Sequence, residues 1–376
     1  MRGSITAQLP VEITFADGAI AQLPAVLGRH GVTRPFVIVE EPVLAIGQVS
    51  GALRAIAPTA ADPFVKPSGE PTMAVFEDAV LAFAAARADG IVAIGGGSAI
   101  DLARGTRAVV GHGSTCNDTL AGRIEVAPPH VPLVSVPTTA GTGADLTGAF
   151  VVRTADGRKR AFGHPLLRGQ ATIVDSELVR GLPAAPTLHG GVDALSHCIA
   201  ACMVANASPL SVAIALEGIA AAAEALPRLV RDPADDDARR TMSLASTCGG
   251  LAINLADCSA EHALGHGFGG VYELPHGLCV GLVLAECLEV NRAAREQELA
   301  RIASALGRPG DGVAAVRSFL AEVRFPVCRD LGIDVVDTGR LVAIALDDYC
   351  ITTNPVAWSA DEVRGAFDRA LALERR

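Results

Sequence analysis

The stretch DGIVAIGGGSAIDLARGTRAV, residues 89–109, constrains this chain more than any other. An unbroken apolar run passes directly into Gly95, Gly96, Gly97 and Ser98, and these lead into a helical pattern. Apolar residues without alternation suit a strand buried on both faces, which is the parallel-sheet situation with helices above and below. Three glycines let a backbone approach a ligand closely. The N–H groups at the new helix start, with the positive end of its dipole, attract phosphate charge. The stretch is not the GxGxxG fingerprint, so a tight turn at a sheet edge stands beside the pyrophosphate reading.

Three further runs repeat the strand signal in the first half: PFVIVEE (35–41), VPLVSVPTT (131–139) and ATIVDS (171–176). Strands alternating with helical patterns predict a parallel sheet with crossover helices. After about residue 180, Ala-rich segments with three- and four-residue apolar spacing take over. In SPLSVAIALEGIAAAAEALPRLV, Ser208 reads as an N-cap, Pro209 as the first helical residue and Pro227 as a stop. The Gly/Pro-rich GLPAAP (181–186) marks the join. The expectation is therefore an α/β plus all-α chain, with a Rossmann-like parallel-sheet domain over 1–182 and a helical domain over 183–376.

Its 376 residues can bury two cores without staples, and 50% hydrophobic against 19% charged residues excludes a disordered or coiled-coil chain. A net charge of −10 with no basic run argues against nucleic acid. The nine cysteines include no CxxC pair, and Cys198 and Cys202 fall on one helix face, as expected for reduced thiols in a cytoplasm. Glu12 and Asp17 precede any long apolar stretch, so no secretory leader is read there. The longest uncharged stretch, 198–216, is broken by Asn206, Ser208 and Pro209 and reads as two buried helices rather than a membrane span.

A second polar loop, PTTAGTG (137–143), also follows an apolar strand and places Thr138, Thr139 and Thr142 where open α/β sheets bind ligands; a surface turn is the alternative. Asp193 and His197 lie four apart in GVDALSH, on one face of a helix. Alone, that pair is either a hydrogen bond or two ligands of a metal. Further on, EHALGHGFGGVYELPHG supplies His262, His266 and His276, so four of the chain's nine histidines fall in the two segments. Asp plus imidazoles suits a divalent Fe or Zn site with a position open to substrate.

Taken together, GGGSAIDLAR (95–104), PTTAGTG, GVDALSH and HALGHGFGGVYELPHG (262–277) resemble, in order and spacing, the signatures of the iron-containing (group III) alcohol dehydrogenase family. Its relatives include glycerol dehydrogenases, maleylacetate reductases and, more remotely, dehydroquinate synthases. The resemblance covers about residues 12–370. It implies the dehydroquinate synthase-like two-domain architecture, with catalysis in the cleft between the domains. It implies metal ligands at Asp193, His197, His262 and His276, and a catalytic His266 that passes the proton near the nicotinamide. It implies cofactor contacts at Gly95, Gly96, Gly97, Ser98, Asp101, Thr138, Thr139, Thr142 and Lys159. An acidic residue at about the place of Glu41 would meet the adenine ribose, favouring NAD(H), with NADP(H) as the alternative. A homodimer is implied on the same ground.

Some positions depart from the family pattern. Ala144-Asp145 replaces the usual Ser-Glu, Arg104 the usual lysine, and Val356 the arginine often found after Asn-Pro. GRKRAFGHPLLRG and the ITTNPVAWSADEV tail are similar to maleylacetate reductases, yet those enzymes typically carry Asn where this chain has Asp193. The expected activity is hydride transfer between NAD(P)(H) and a small alcohol, aldehyde or ketone. Maleylacetate reductase-type reduction of an oxo acid, with Lys159 and Arg160 holding the carboxylate, is the alternative. A dehydroquinate synthase-type lyase ranks below it, because that type should carry Glu in the metal set and a Lys/Arg cluster.

Overall fold

The computed structural model describes residues 11–127, 131–154, 159–333 and 338–372. These fall into two compact units divided between Gly181 and Leu182, with Ala140–Thr142 belonging to the second.

The first unit holds strands β1 (Glu12–Phe15), β2 (Pro35–Glu40), β3 (Phe64–Lys66), β4 (Gly90–Gly95), β5 (Leu133–Pro137), β6 (Ala149–Arg153), β7 (Lys159–Gly163) and β8 (Ala171–Val174). Its helices are α1 (Leu23–Arg29), α2 (Gly47–Ile56), α3 (Met73–Ala86), α4 (Gly97–His112) and α5 (Cys116–Leu120). Six strands form one parallel sheet in the order β1-β8-β5-β4-β2-β3. Alternate residues feed opposite faces, as the pleat requires. Val37, Val39, Val92, Ile94, Val134 and Val136 join one core with α1 and α2. Phe36, Ile38, Ile91, Ala93 and Leu133 join the other with α3 and α4. Both faces are covered, which is why β2, β4 and β5 read as apolar runs. The edge strands β1 and β3 carry no such signal. They are short and partly exposed, and sequence reasoning missed both.

From β2 the chain steps outward to β3 and then returns to the other side of β2 as β4. This reversal is the point where open α/β sheets bind ligands, at the carboxyl ends of the strands. The parallel register lines up those ends: Lys66 beside Glu40, and Gly95 beside Pro137. The hairpin β6–β7 is antiparallel and separate, its buried Phe150 packed edge-on against Phe162.

The second unit is helical: α6 (Ala184–Met203), α7 (Pro209–Arg231), α8 (Asp236–Leu255), α9 (Ala260–Tyr272), α10 (His276–Asn291), α11 (Glu296–Ala305), α12 (Gly312–Glu322), α13 (Thr338–Asp347) and α14 (Ala360–Ala372). The uncharged stretch is two helices, α6 and α7, with Ser208 capping α7 through Ser211 as expected. Pro227 does not stop α7, which runs on to Arg231. The helical interior tolerates the lost hydrogen bond because Leu226 and Leu229 on either side are buried in the core.

Candidate functional site

Asp193 and His197 project from α6, His262 from α9 and His276 from the first residue of α10. One ligand atom from each lies within 4.8 Å of all the others. The His197 and His262 rings stack at 4.7 Å, and His276 Nε2 stands 3.4 Å from Asp193 Oδ1. Close helix packing brings the elements together. A Cβ on Gly277 would sit 2.3 Å from the His189 carbonyl oxygen and 2.8 Å from Asp193 Cβ, so α10 can start against α6 only because Gly277 has none.

The cluster is buried but polar atoms in it lack partners. Asp193 Oδ1, His197 Nδ1 and His262 Nε2 are enclosed without a hydrogen bond among the described residues. Such atoms cost about 1–3 kcal/mol each when nothing satisfies them. Glu261 orients the His262 ring, its Oε1 lying 3.0 Å from Nδ1, which turns Nε2, the orphaned atom, toward the cluster. Burial pushes the Asp193 carboxyl up against the pull of His197 and His262. Burial would lower the His262 imidazole, but Cys258, Glu261 and Asp193 reverse this and push it up to about 10. The donor set of three imidazoles and one carboxylate, with ligand atoms within 4.8 Å of one another, fits a divalent transition metal.

His266 lies one turn beyond His262 on α9, its ring 5.1 Å from that of His276. Its Nδ1 is 2.7 Å from Asp348 Oδ2, and its Nε2 meets no partner among the described residues. Asp348 was not legible as a site residue: it follows α13, 82 residues away in sequence.

In the first unit, Gly95 ends β4, and Gly96 caps α4. The Thr138 N–H donates to the Gly95 carbonyl at 2.9 Å, and a Cβ on Gly96 would stand 3.3 Å from Thr139 Cγ2. Gly95, Gly96, Gly97, Ser98, Thr138 and Thr139 therefore come together. Thr142 belongs to the other unit, on a loop laid against α6 where Gly141 meets Gly190. The Asp101 carboxylate is taken up elsewhere, accepting from the Val151 N–H at 3.2 Å and facing Arg104 at 3.8 Å. The Lys159 side chain and all of Arg158 lie outside the described residues, and Arg160 is exposed on β7.

The acidic residue turned onto the glycine loop is Glu40, not Glu41. Glu41 begins the turn after β2 and is exposed. Glu40 Oε2 accepts from the Gly96 N–H at 2.9 Å, and Oε1 accepts from Ser98 Oγ and, at 3.3 Å, from Lys66 Nζ. Burial would raise its carboxyl, but those three donors hold it below the usual carboxylate range.

Comparison with known proteins agrees with this geometry. Residues 10–176 match the iron-containing alcohol dehydrogenase model, and residues 187–371 match the C-terminal model of the Fe-containing alcohol dehydrogenase family. The chain is 31% identical to 4-hydroxybutyrate dehydrogenase of Cupriavidus necator, covering 94% of this chain and 96% of that one. It is 29% identical to the NAD-dependent methanol dehydrogenase of Bacillus methanolicus, covering 96% and 99%. Among solved structures, a 1,3-propanediol oxidoreductase superposes with a TM-score of 0.91 at 26% identity, covering 98% and 100%. The chain belongs to the iron-containing alcohol dehydrogenase family and is an oxidoreductase of that class.

Proposed function

We propose that this member of the iron-containing alcohol dehydrogenase family transfers hydride reversibly between NAD(H) and a short alcohol and its aldehyde or ketone, at a metal held by Asp193, His197, His262 and His276. The observation that carries the residue assignment is that one ligand atom from each of the four residues lies within 4.8 Å of the others, in a cluster where three buried polar atoms lack a hydrogen-bond partner among the described residues. Iron(II) is the proposed occupant and zinc the alternative, since nitrogen and oxygen ligands accept both. A divalent metal there supplies Lewis acidity toward the substrate oxygen, which favours hydride movement at the adjacent carbon.

The chain's own groups do the rest. Glu261 fixes the ring of His262. Asp348 takes the Nδ1–H of His266, so Nε2 is the nitrogen that accepts the proton released when alcohol becomes carbonyl and returns it in reduction. The N–H groups at the start of α4 bind the pyrophosphate, and Ser98, Thr138 and Thr139 line the same crevice. Glu40 accepts from an adenine-ribose hydroxyl and disfavours a 2′-phosphate, so NAD(H) is the proposed cofactor.

Relatives named for methanol, 4-hydroxybutyrate and 1,3-propanediol support a short primary alcohol as substrate. Asp193 completes the ligand set and supports this reading over reduction of an oxo acid. All nine cysteines are free thiols, which supports a reducing cytoplasm, and a homodimer is the proposed assembly. The test is to incubate metal-free protein with NADH, iron(II) or zinc, and a panel of short aldehydes and oxo acids, following nicotinamide absorbance. Metal-dependent turnover of aldehydes is expected. Full activity in excess chelator, or a large preference for maleylacetate, would overturn the reading.

A further inference from the structure

Lys66 is the feature that the proposed mechanism does not use. It is fully buried at the end of the edge strand β3, on a sheet whose other strand ends form the nucleotide crevice. A lysine beside an adenine-ribose position would by residue type be read as a 2′-phosphate ligand, and hence as a mark of NADP(H). Its geometry says otherwise. An ammonium has three N–H donors. Here the acceptors within reach are Glu40 Oε1 at 3.3 Å, the Pro67 carbonyl at 2.8 Å and the Gly69 carbonyl, so none is left for a phosphate.

Glu40 is correspondingly held. A carboxylate offers about four lone-pair sites. Oε1 receives Ser98 and Lys66, and Oε2 receives Gly96, which leaves one site on Oε2 at the crevice. Without Lys66 the carboxylate, whose side chain is only 18% exposed, would lose its one cationic partner among the described residues and be free to turn from the loop.

Resting on the reading of this crevice as the dinucleotide site, we propose that Lys66 is a positioning residue for cofactor selectivity. It acts through Glu40, presenting one fixed acceptor to a ribose hydroxyl, and does not touch the nucleotide. The pair thereby enforces NAD(H) with a lysine.

Calorimetric titration of the metal-free full chain with NADH and with NADPH tests this without relying on turnover. Lys66→Met should weaken NADH binding by about tenfold, the value of one charge-assisted hydrogen bond, without strengthening NADPH. Glu40→Gln should weaken NADH comparably. The double variant should bind NADH within about twofold of Glu40→Gln, because Lys66 has nothing left to position. Unchanged NADH affinity in Lys66→Met overturns the proposal. So do losses that multiply in the double variant, which would mean that Lys66 acts through the 67–69 loop alone. Should Lys66→Met not fold, Lys66→Gln, which keeps a donor for the carbonyls and removes the charge, is read by the same criteria. Wild-type protein that binds neither nucleotide overturns the reading of the crevice itself, and the proposal with it.

Discussion

Replacing Asp193 by Asn should change the sign of its effect on stability with the presence of metal. In the metal-free chain the carboxylate is 1% exposed, and its Oδ1 has no hydrogen-bond donor among the described residues. Burial therefore penalises the charged form, and the isosteric amide removes that penalty. Without metal, Asp193→Asn should be at least as stable as wild type. With metal at about a hundredfold its dissociation constant, the wild type gains roughly 2.7 kcal/mol. An amide ligand that binds about a hundredfold more weakly would gain only about 0.4 kcal/mol at the same concentration. For a unit the size of residues 182–376, each kcal/mol moves the melting temperature by about 2–4 °C, so metal should raise wild type by about 5–11 °C and the variant by about 1–2 °C. Calorimetric melts in chelator and in excess iron(II) under anaerobic conditions measure both gains. A wild-type melting temperature indifferent to metal would refute the reasoning. So would a variant that loses as much stability in chelator as in iron.

Gly277→Ala should deplete bound metal by about tenfold in elemental analysis without touching a ligand, because the new methyl pushes α10 off α6; full metal content would show that the contact relaxes. Glu40→Gln should reduce the NAD over NADP preference in kcat/KM by about tenfold, whereas Glu41→Gln should leave it unchanged; the reverse order would restore Glu41 to the ribose. Burial would raise the Asp348 carboxyl, but His266 and the Cys350 N–H bring it down to about 2. A lowered carboxylate stabilises the fold above its unfolded value near about 4 and ceases to do so as pH falls through the folded value. The stability gap between wild type and Asp348→Asn, about 2 kcal/mol, should therefore close between about pH 4 and 2 in urea titrations; a gap unchanged across that window would exclude the assignment.

The Asp/His cluster was legible because helical periodicity is local. Asp193 and His197 share a face through four residues of spacing, and α9 carries its two histidines by the same rule. The approach of α10 to α6 was not legible, since it depends on Gly277 meeting a carbonyl that belongs to another helix. The sheet was legible where strands are buried on both faces, and lost at β1 and β3, whose short edge segments have no pattern to read. Glu40 and Glu41 show the limit of a strand-end reading. Successive side chains point to opposite sides, so a shift of one residue separates the carboxylate on the glycine loop from one in solvent. Lys66 reaches Glu40 only through sheet register, and Asp348 reaches His266 only through tertiary packing.

The four residues of the Asp/His cluster are unequally covered. Asp193, His197 and His262 are within 4% of complete burial, whereas the His276 side chain is 34% exposed. A metal held there would exchange on the side of His276, the least covered of the four residues. The lifetime of the loaded state would then follow the mobility of one imidazole at the start of α10 more than the strength of all four bonds. Chelators should meet a slow, first-order leak whose rate does not rise with their concentration, and substitutions around His276 should set the pace of metal turnover in the cell.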